Sequence, residues 1–455
     1  MASNYHPVIV DKIKEFHDQG IPPLFERELS LGELRTPARG NLVEVLVGVR
    51  RCGKTYRLYQ EMNRILDAGY GLDSILYFNF DDERLKPYET AMLDDVVESF
   101  FSLNPSAKTE GAFFFFDEIQ EVPEWGAFMR RMVDTQNATI YLTGSSSQML
   151  STELASEFRG RALSHELFPM GFAEYLRYHG IMDAPSIETA RNAPTSAARA
   201  KLRNALPNYL RQGGFIATQG LESSDAIQLL QEYANRTVNY DVIERYGVSN
   251  PQAAGLFLSR CIASSGRELS ISKIHNEFRS RGISVGRQVL SQLLSYYEEA
   301  YLLFAVRNYS VSLADNPRSA SKIYAVDPAL FAAFSPAPSV DMGQRLETAV
   351  FNKLRRSLPT GRTGSIARAV VEHKGRRHEV DFVVGDALLG ERPALVQVSV
   401  NINDPKTEAR EFSSLEIAME KFDTDKSVLV TLDDEQEVLT PSGTVHVIPA
   451  WKWLL

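Results

Sequence analysis

The stretch that decides the fold is Gly48-Val-Arg-Arg-Cys-Gly-Lys-Thr55, preceded by the apolar run Leu42–Val47 and followed by the helical pattern Lys54–Ala68. It satisfies G-x-x-x-x-G-K-[ST] in full and stands in the context that pattern needs, a strand before and a helix after. The glycines let backbone N–H groups turn inward around phosphates, and the helix N-terminus adds a positive dipole. The residues read as nucleotide-contacting are therefore Gly48, Arg50, Arg51, Gly53, Lys54 and Thr55. Lys54 is positioned to reach the β- and γ-phosphates of ATP, and the Thr55 hydroxyl to ligate Mg²⁺. Cys52 reads as filler rather than a redox switch.

Working outward, Phe113-Phe-Phe-Phe-Asp-Glu118 is a buried-strand pattern ending in two carboxylates. Parallel sheets bind ligands at the carboxyl ends of their strands. Asp117 reads as a Mg²⁺ ligand and Glu118 as the general base that polarises an attacking water. The competing reading is a helix N-cap. Thr139-Ile-Tyr-Leu-Thr-Gly-Ser-Ser-Ser147 is another strand ending in hydroxyls, where Ser145, ahead of Thr143, is the candidate partner of the γ-phosphate or the lytic water; an ordinary strand-to-helix cap is the alternative. In Phe158-Arg-Gly-Arg-Ala162, Arg161 is preferred to Arg159 as an arginine reaching a neighbouring subunit's γ-phosphate. A plain surface arginine is its alternative.

Strand-like runs at Ser74–Phe80, Ala112–Phe116, Thr139–Leu142 and Ala162–Leu167 alternate with helical spacing at Leu93–Leu103 and Trp125–Thr135. That alternation predicts α/β architecture, a parallel sheet with flanking helices. Residues 1–41 read as a polar lead-in and 42–220 as the nucleotide-binding core. Residues 183–205 look like an exposed insertion or weak helix, and Asp225–Tyr246 like one amphipathic helix. Residues 221–334 form a helical module, Ser335–Val340 a linker, and 341–455 a second α/β unit.

The 455 residues are 44% hydrophobic and 24% charged, a globular composition long enough for several cores. The formal charge of −9 argues against a chain that is basic throughout, as a histone is. Two cysteines are too few for a disulfide framework, and no apolar run approaches the ~18 residues of a membrane span. With no apolar stretch at the N-terminus, the expectation is a cytoplasmic protein.

Two regions run against the overall charge. Residues 260–287 carry six basic and two acidic side chains, among them Lys273, Arg279, Arg281 and Arg287, in a pattern suited to a helix-turn-helix. Residues 345–378 carry nine basic and two acidic, among them Arg355, Arg356, Lys374, Arg376 and Arg377. Such faces attract phosphate backbones, so DNA is the expected partner; a packing module and a merely solvated surface are the respective alternatives.

The motifs 48–55, Phe116-Asp-Glu-Ile-Gln120, Leu142–Ser147 and Gly160–Glu174 resemble the AAA+ superfamily, and so do Tyr209–Phe215, Lys322–Leu330 and Gly343–Val350 in their order. They look most like the bacterial and archaeal ATPases that carry a C-terminal restriction-endonuclease-like domain. The resemblance implies an ASCE-type P-loop NTPase core, a winged-helix module and a nuclease-like fold. It implies Lys54, Thr55, Asp117 and Glu118 as catalytic, Ser145 as sensor and Arg161 as a trans arginine. It also implies a ring-shaped homo-oligomer, usually a hexamer. Glu347 and Asp381 fit the first two positions of the nuclease pattern. Gln397 and Ser399 stand where glutamate and lysine belong, so the nuclease-like domain is expected to bind without cutting. The expected function is ATP-driven action on DNA, possible substrates including branched duplexes. The rivals are a nucleotide-state switch that binds protein partners and an ATP-dependent nuclease.

Overall fold

The computed structural model describes residues 6–145, 158, 160–309, 321–335, 342–358, 365–386 and 389–455. Two compact units divide at Leu167/Phe168.

In the first unit five parallel strands lie in the order β2-β3-β4-β1-β5: β1 (Val43–Val47), β2 (Ile75–Asn79), β3 (Ala112–Asp117), β4 (Ala138–Gly144) and β5 (Ala162–Glu166). Strands β1, β3 and β4 are buried along their whole length, which is why they read as unbroken apolar runs rather than alternating ones. Helices α2 (Lys54–Asp67), α3 (Ala91–Leu103), α4 (Pro105–Glu110) and α5 (Trp125–Thr135) connect them. The lead-in is more ordered than its polarity suggests. Helix α1 (Pro7–Gln19) buries Ile9, Ile13 and Phe16, Phe16 lies 5.1 Å from the Tyr77 ring, and Lys12 pairs with Asp82 at 2.6 Å. Its apolar residues recur at i, i+4 and i+7, the stripe a surface helix needs.

The second unit opens with α6 (Phe172–Tyr178), α7 (Ala184–Asn192) and α8 (Ser196–Gln212). The stretch 183–205 is thus helical, the second of its two readings, and lies in two capped helices rather than an irregular insertion. Asp183 and Thr195 cap the two helices through Ser186 N and Ala198 N, and Leu202, Leu206 and Leu210 form the buried stripe of α8. Helix α9 (Ser223–Thr237) continues as a π-helical stretch, Val238–Glu244, so 225–246 is not one regular helix.

Next come α10 (Pro251–Ala263), the short strand β6 (Arg267–Glu268), α11 (Ile271–Ser280), α12 (Arg287–Glu299), β7 (Leu303–Val306) and β8 (Lys322–Ala325). The strands form an antiparallel sheet ordered β6-β8-β7. Helix α13 (Leu330–Phe334) closes this part, and all of the expected linker after Ser335 lies outside the described residues.

Helix α14 (Met342–Ser357) then leads into a six-stranded sheet ordered β13-β14-β12-β11-β10-β9. Its strands are β9 (Ile366–His373), β10 (Arg376–Val384), β11 (Ala394–Val398), β12 (Ser427–Thr431), β13 (Gln436–Thr440) and β14 (Gly443–Pro449), with α15 (Pro405–Phe422) between β11 and β12. Strands β9, β10 and β11 are antiparallel neighbours, and β11 to β12 is parallel through α15, as a long helical crossover allows. Strand β13 is an edge strand of exposed and half-buried residues, with too little apolar content to announce itself.

Candidate active site

The loop between β1 and α2 is shaped by steric need. A Cβ on Gly48 would lie 2.1 Å from the Leu167 carbonyl oxygen, and both Gly48 and Gly53 have positive φ. Gly53 is the left-handed N-cap of α2, so the first amides of that helix face the loop. Arg51 is also left-handed, at φ 68°.

Lys54 is 4% exposed. Its ammonium donates to the Gly48 carbonyl at 3.1 Å and lies 3.6 Å from a Glu118 carboxylate oxygen. Burial opposes its charge, but Glu118, Cys52 and Asp117 outweigh that and hold it above the ordinary lysine range. Arg50 stands 3.8 Å from Glu121. The Cys52 thiol is buried and pushed up, which keeps it unreactive.

Asp117 ends β3, fully buried. Its carboxylate accepts from the Thr55 hydroxyl at 2.7 Å, the Tyr77 hydroxyl at 3.1 Å, the Asn79 amide at 3.4 Å and the Thr143 hydroxyl. Burial, then the neighbouring Glu118, pushes its pKa up against the two threonine hydrogen bonds. Glu118 goes the other way. Burial raises it, but Lys54, Arg50 and Gln120 together bring it below the ordinary glutamate range, so it is ionised at neutral pH. The roles follow from position rather than from these shifts: Asp117 shares the Thr55 hydroxyl at the cradle's mouth, where a cation would sit, and Glu118 stands beside Lys54, where the reacting phosphate and water would meet.

Glu118 sits in the left-handed region, φ 54° and ψ 44°, a conformation that costs a non-glycine residue about 1–2 kcal/mol. Its N–H donates to Thr143 Oγ1 at 2.9 Å, and the Gln120 amide holds its carboxylate at 2.6 Å. Thr143 thus fastens both acids, a role sequence reasoning gave to neither Thr143 nor Tyr77 and Asn79. A signal was present: Asn79 is paired in register with Asp117 once β2 and β3 are known to be neighbours. Arg27, from the lead-in, was also missed; its guanidinium donates to the Cys52 carbonyl at 2.8 Å.

The fit to magnesium rests on the donor set. A threonine hydroxyl and one carboxylate meet at the mouth of the phosphate cradle, which leaves room for phosphate and water oxygens, as this ion prefers. Among the described residues no group of three or more His, Cys, Asp and Glu side chains is arranged to hold a metal.

Ser145 is fully buried just past β4, and residues 146–157 lie outside the described residues, as does Arg159. Arg161 lies at the N-terminal end of β5, its carbonyl bonded to Val43 N, and pairs with Asp134 at 2.5 Å. In a parallel sheet that is the edge opposite the phosphate loop, roughly 15 Å away along β1. Arg161 therefore does not serve its own loop.

The basic residues divide. Lys273, Arg279, Arg281 and Arg287 are exposed on and beside α11 and α12, with Arg281 paired to Glu277 at 3.0 Å. The second basic region is corrected by the structure. Arg345, Arg355 and Arg368 are buried. Arg356 donates to the Pro169 carbonyl at 2.7 Å, Arg355 stacks over Phe304 at 5.3 Å, and Arg362 is outside the described residues. Arg355 and Arg356 are spent on packing, so no continuous basic face follows from the count. Lys374, Arg376 and Arg377 remain exposed at the β9–β10 turn, Arg377 paired with Glu268.

Glu347 and Asp381, far apart in sequence, do meet: the Lys322 ammonium touches both, at 2.6 and 2.8 Å. Gln397 is a cross-link, accepting from Asp381 N at 3.0 Å and donating to Glu411 at 2.7 Å. Ser399 donates to the Asn401 carbonyl. Among the described residues no helix is long and apolar enough to cross a membrane.

Comparison with known proteins agrees with this site. A family model described as an AAA domain matches residues 41–176, and one described as a domain of unknown function matches 203–341. The chain is 31% identical over 428 residues to an uncharacterized protein of Methanocaldococcus jannaschii, covering 91% of this chain and 88% of that one. It is 24% identical over 433 residues to an uncharacterized protein of Haemophilus influenzae, covering 95% and 99%. Among solved structures it is similar to the Aeropyrum pernix Orc1 protein in complex with DNA, at 15% identity and a TM-score of 0.28, over 75% of this chain and 94% of that one. It is also similar to Cdc6p from Pyrobaculum aerophilum, at 12% identity and a TM-score of 0.24, over 68% and 90%. Overlap this low bears on neither mechanism nor partners.

Proposed function

The chain belongs to the family of the Methanocaldococcus jannaschii protein and carries an AAA domain, and from that premise we propose that it is an AAA+ enzyme that hydrolyses ATP and acts on DNA. The observation that carries the first half is the meeting of Lys54, Glu118, Asp117 and Thr55 at one end of a parallel sheet. Bound MgATP would supply the reacting γ-phosphoryl group and a cation that neutralises its charge. Thr55 and Asp117 would hold the magnesium. Lys54 would exchange the Gly48 carbonyl and Glu118 for phosphate oxygens, releasing the ionised Glu118 to take a proton from water. Thr143 and Gln120 keep that carboxylate in place.

Ser145, at the tip of β4, is proposed as the residue that senses the γ-phosphate. Arg161, turned away from its own loop, is proposed to serve a neighbouring subunit, which calls for a ring of subunits, six in the family the motifs resemble. The order helix, strand, two helices and two strands over 251–325 supports a winged helix. The three antiparallel strands plus a parallel fourth behind α14 support a restriction-endonuclease-like fold in 341–455. Duplex binding is assigned first to Lys273, Arg279, Arg281 and Arg287, and then to Lys374, Arg376 and Arg377.

A second reading is a nucleotide-state switch that binds protein. The inward turn of Arg345, Arg355 and Arg368 favours it, because those side chains are buried against carbonyls, rings and acids instead of adding to a basic surface. ATP turnover measured with and without linear, forked and four-way DNA, together with particle mass, tests the proposal. Stimulation by DNA supports it. No DNA binding at low salt, where phosphate contacts are strongest, favours the switch.

A further inference from the structure

The second unit holds a buried charged cluster of its own. Glu347 projects from α14, Asp381 and Glu379 from β10, and Lys322 enters from β8, in the module before. The Lys322 ammonium is 2.6 Å from Glu347, 2.8 Å from Asp381 and 3.8 Å from Glu379. Lys322 and Asp381 are each 6% exposed.

Every oxygen that a metal would use at Asp381 and at the nearer side of Glu347 is engaged. Asp381 Oδ1 is on Lys322, and Oδ2 accepts from Val398 N at 3.0 Å. Glu347 Oε1 takes both Lys322 and the Tyr324 hydroxyl, the latter at 2.6 Å. Gln397, at the position where a third acid would complete a cation site, is a neutral amide with both ends bonded. Arg368 and Arg377 extend the cluster, contacting Glu268 at 2.8 and 2.5 Å. A magnesium-sized ion needs carboxylate oxygens at about 2.0–2.1 Å and would have to share this space with a fixed ammonium, which like-charge repulsion opposes.

We infer that Lys322 is the resident cation of this carboxylate centre. Its ammonium takes the place of a divalent ion between Glu347 and Asp381, so the C-terminal sheet binds no metal there, and the same contact clasps the 251–335 module to that sheet. The inference rests on the reading of 341–455 as a nuclease-like fold that does not cut, and supplies its physical cause. A single ammonium offsets less charge than a divalent ion. In keeping with that, burial and then Asp381 push Glu347 up to about 8 despite the lysine.

The test is Mn²⁺ uptake by the nucleotide-free full chain carrying Asp117→Asn, which removes the phosphate-loop ligand, followed by electron paramagnetic resonance. With Lys322 present, no ion is taken up. Lys322→Ala gains one Mn²⁺ per chain, and adding Asp381→Asn abolishes it. Uptake by the Lys322 protein that Asp381→Asn removes, or none by a folded Lys322→Ala protein, overturns the inference. Should Lys322→Ala not fold, melting temperatures decide. The neutral triple variant Lys322→Met, Glu347→Gln, Asp381→Asn melts above Lys322→Met alone if the ammonium serves to neutralise those acids; equal or lower melting overturns the idea. Metal uptake without nicking of supercoiled DNA defeats this inference alone, whereas Asp381-dependent nicking defeats the non-cutting reading as well.

Discussion

Replacing Thr143 by valine keeps the shape of the side chain and deletes one hydroxyl. That hydroxyl accepts the Glu118 N–H at 2.9 Å and donates to Asp117, and it is fully buried. Losing the neutral bond costs about 1 kcal/mol, and losing the bond to a buried carboxylate about 1.5–3 kcal/mol. The expected total is about 3 kcal/mol, or roughly 6–12 °C in the melting of a unit of this size. The effect on turnover follows from the backbone. Glu118 is held at φ 54° against its own preference, and the bond to Thr143 is one restraint that keeps it there. Without it the carboxylate is misaimed, and the rate falls by about 10–100-fold, part of what a general base contributes. Thr143→Ser retains both bonds and should restore both properties. Melting of the full chain and a coupled ATP-turnover assay read the two effects. A valine variant that melts and turns over as the unaltered protein does would refute the assignment of Thr143 as the residue that fastens the acids.

Other outcomes are expected. Lys54→Ala loses ATP binding in calorimetry, while Glu118→Gln still binds ATP but turns over at least about 100-fold more slowly; wild-type turnover in the latter would remove Glu118 as base. Removing magnesium with a chelator stops hydrolysis and is reversed by adding the ion back. Burial pushes Asp327 up to about 6, with the Gly214 and Ala329 amides, at 2.7 and 2.8 Å, pulling it back. Its folded pKa exceeds its unfolded one, so its contribution of about 3 kcal/mol is present below pH 4 and is lost as pH rises through 6. Urea midpoints of Asp327→Asn should lack that decline, and an identical pH slope in both proteins would count against it. Replacing Arg279, Arg281 and Arg287 together by alanine should reduce the log–log salt slope of duplex binding by about 2–3; an unchanged slope would move the DNA contact elsewhere.

Contiguity decided what could be read directly. The phosphate loop is eight consecutive residues whose glycines, lysine and threonine do their work within one turn, so Gly48–Thr55 declared itself. Strands β1, β3 and β4 did too, because a doubly covered parallel strand is an apolar run. The two acids announced their strand tip but not their companions, because Thr143, Tyr77 and Asn79 converge on Asp117 only when β2 and β4 flank β3.

The looser motifs make the same point. Met170, Gly214, Asp327 and Arg345 are scattered over more than half of the second unit, yet they build one node. Met170 N bonds Gly214 O, Gly214 N bonds Asp327, and Arg345 donates to the Leu210 carbonyl. A Cβ on Gly214 would meet the Met170 oxygen at 2.1 Å, which is why the glycine pair stands there. Counting charges failed where orientation mattered. Composition made 345–378 a basic face, and folding turned Arg345, Arg355 and Arg368 inward onto carbonyls, rings and acids. The sequence alone determined the phosphate cradle and the parallel core, since local spacing is enough to specify both. Only the tertiary structure decided which hydroxyl holds the acids, which arginines face water, and that a lysine from a separate module sits between Glu347 and Asp381. Those depend on distances between residues the chain keeps far apart until it folds.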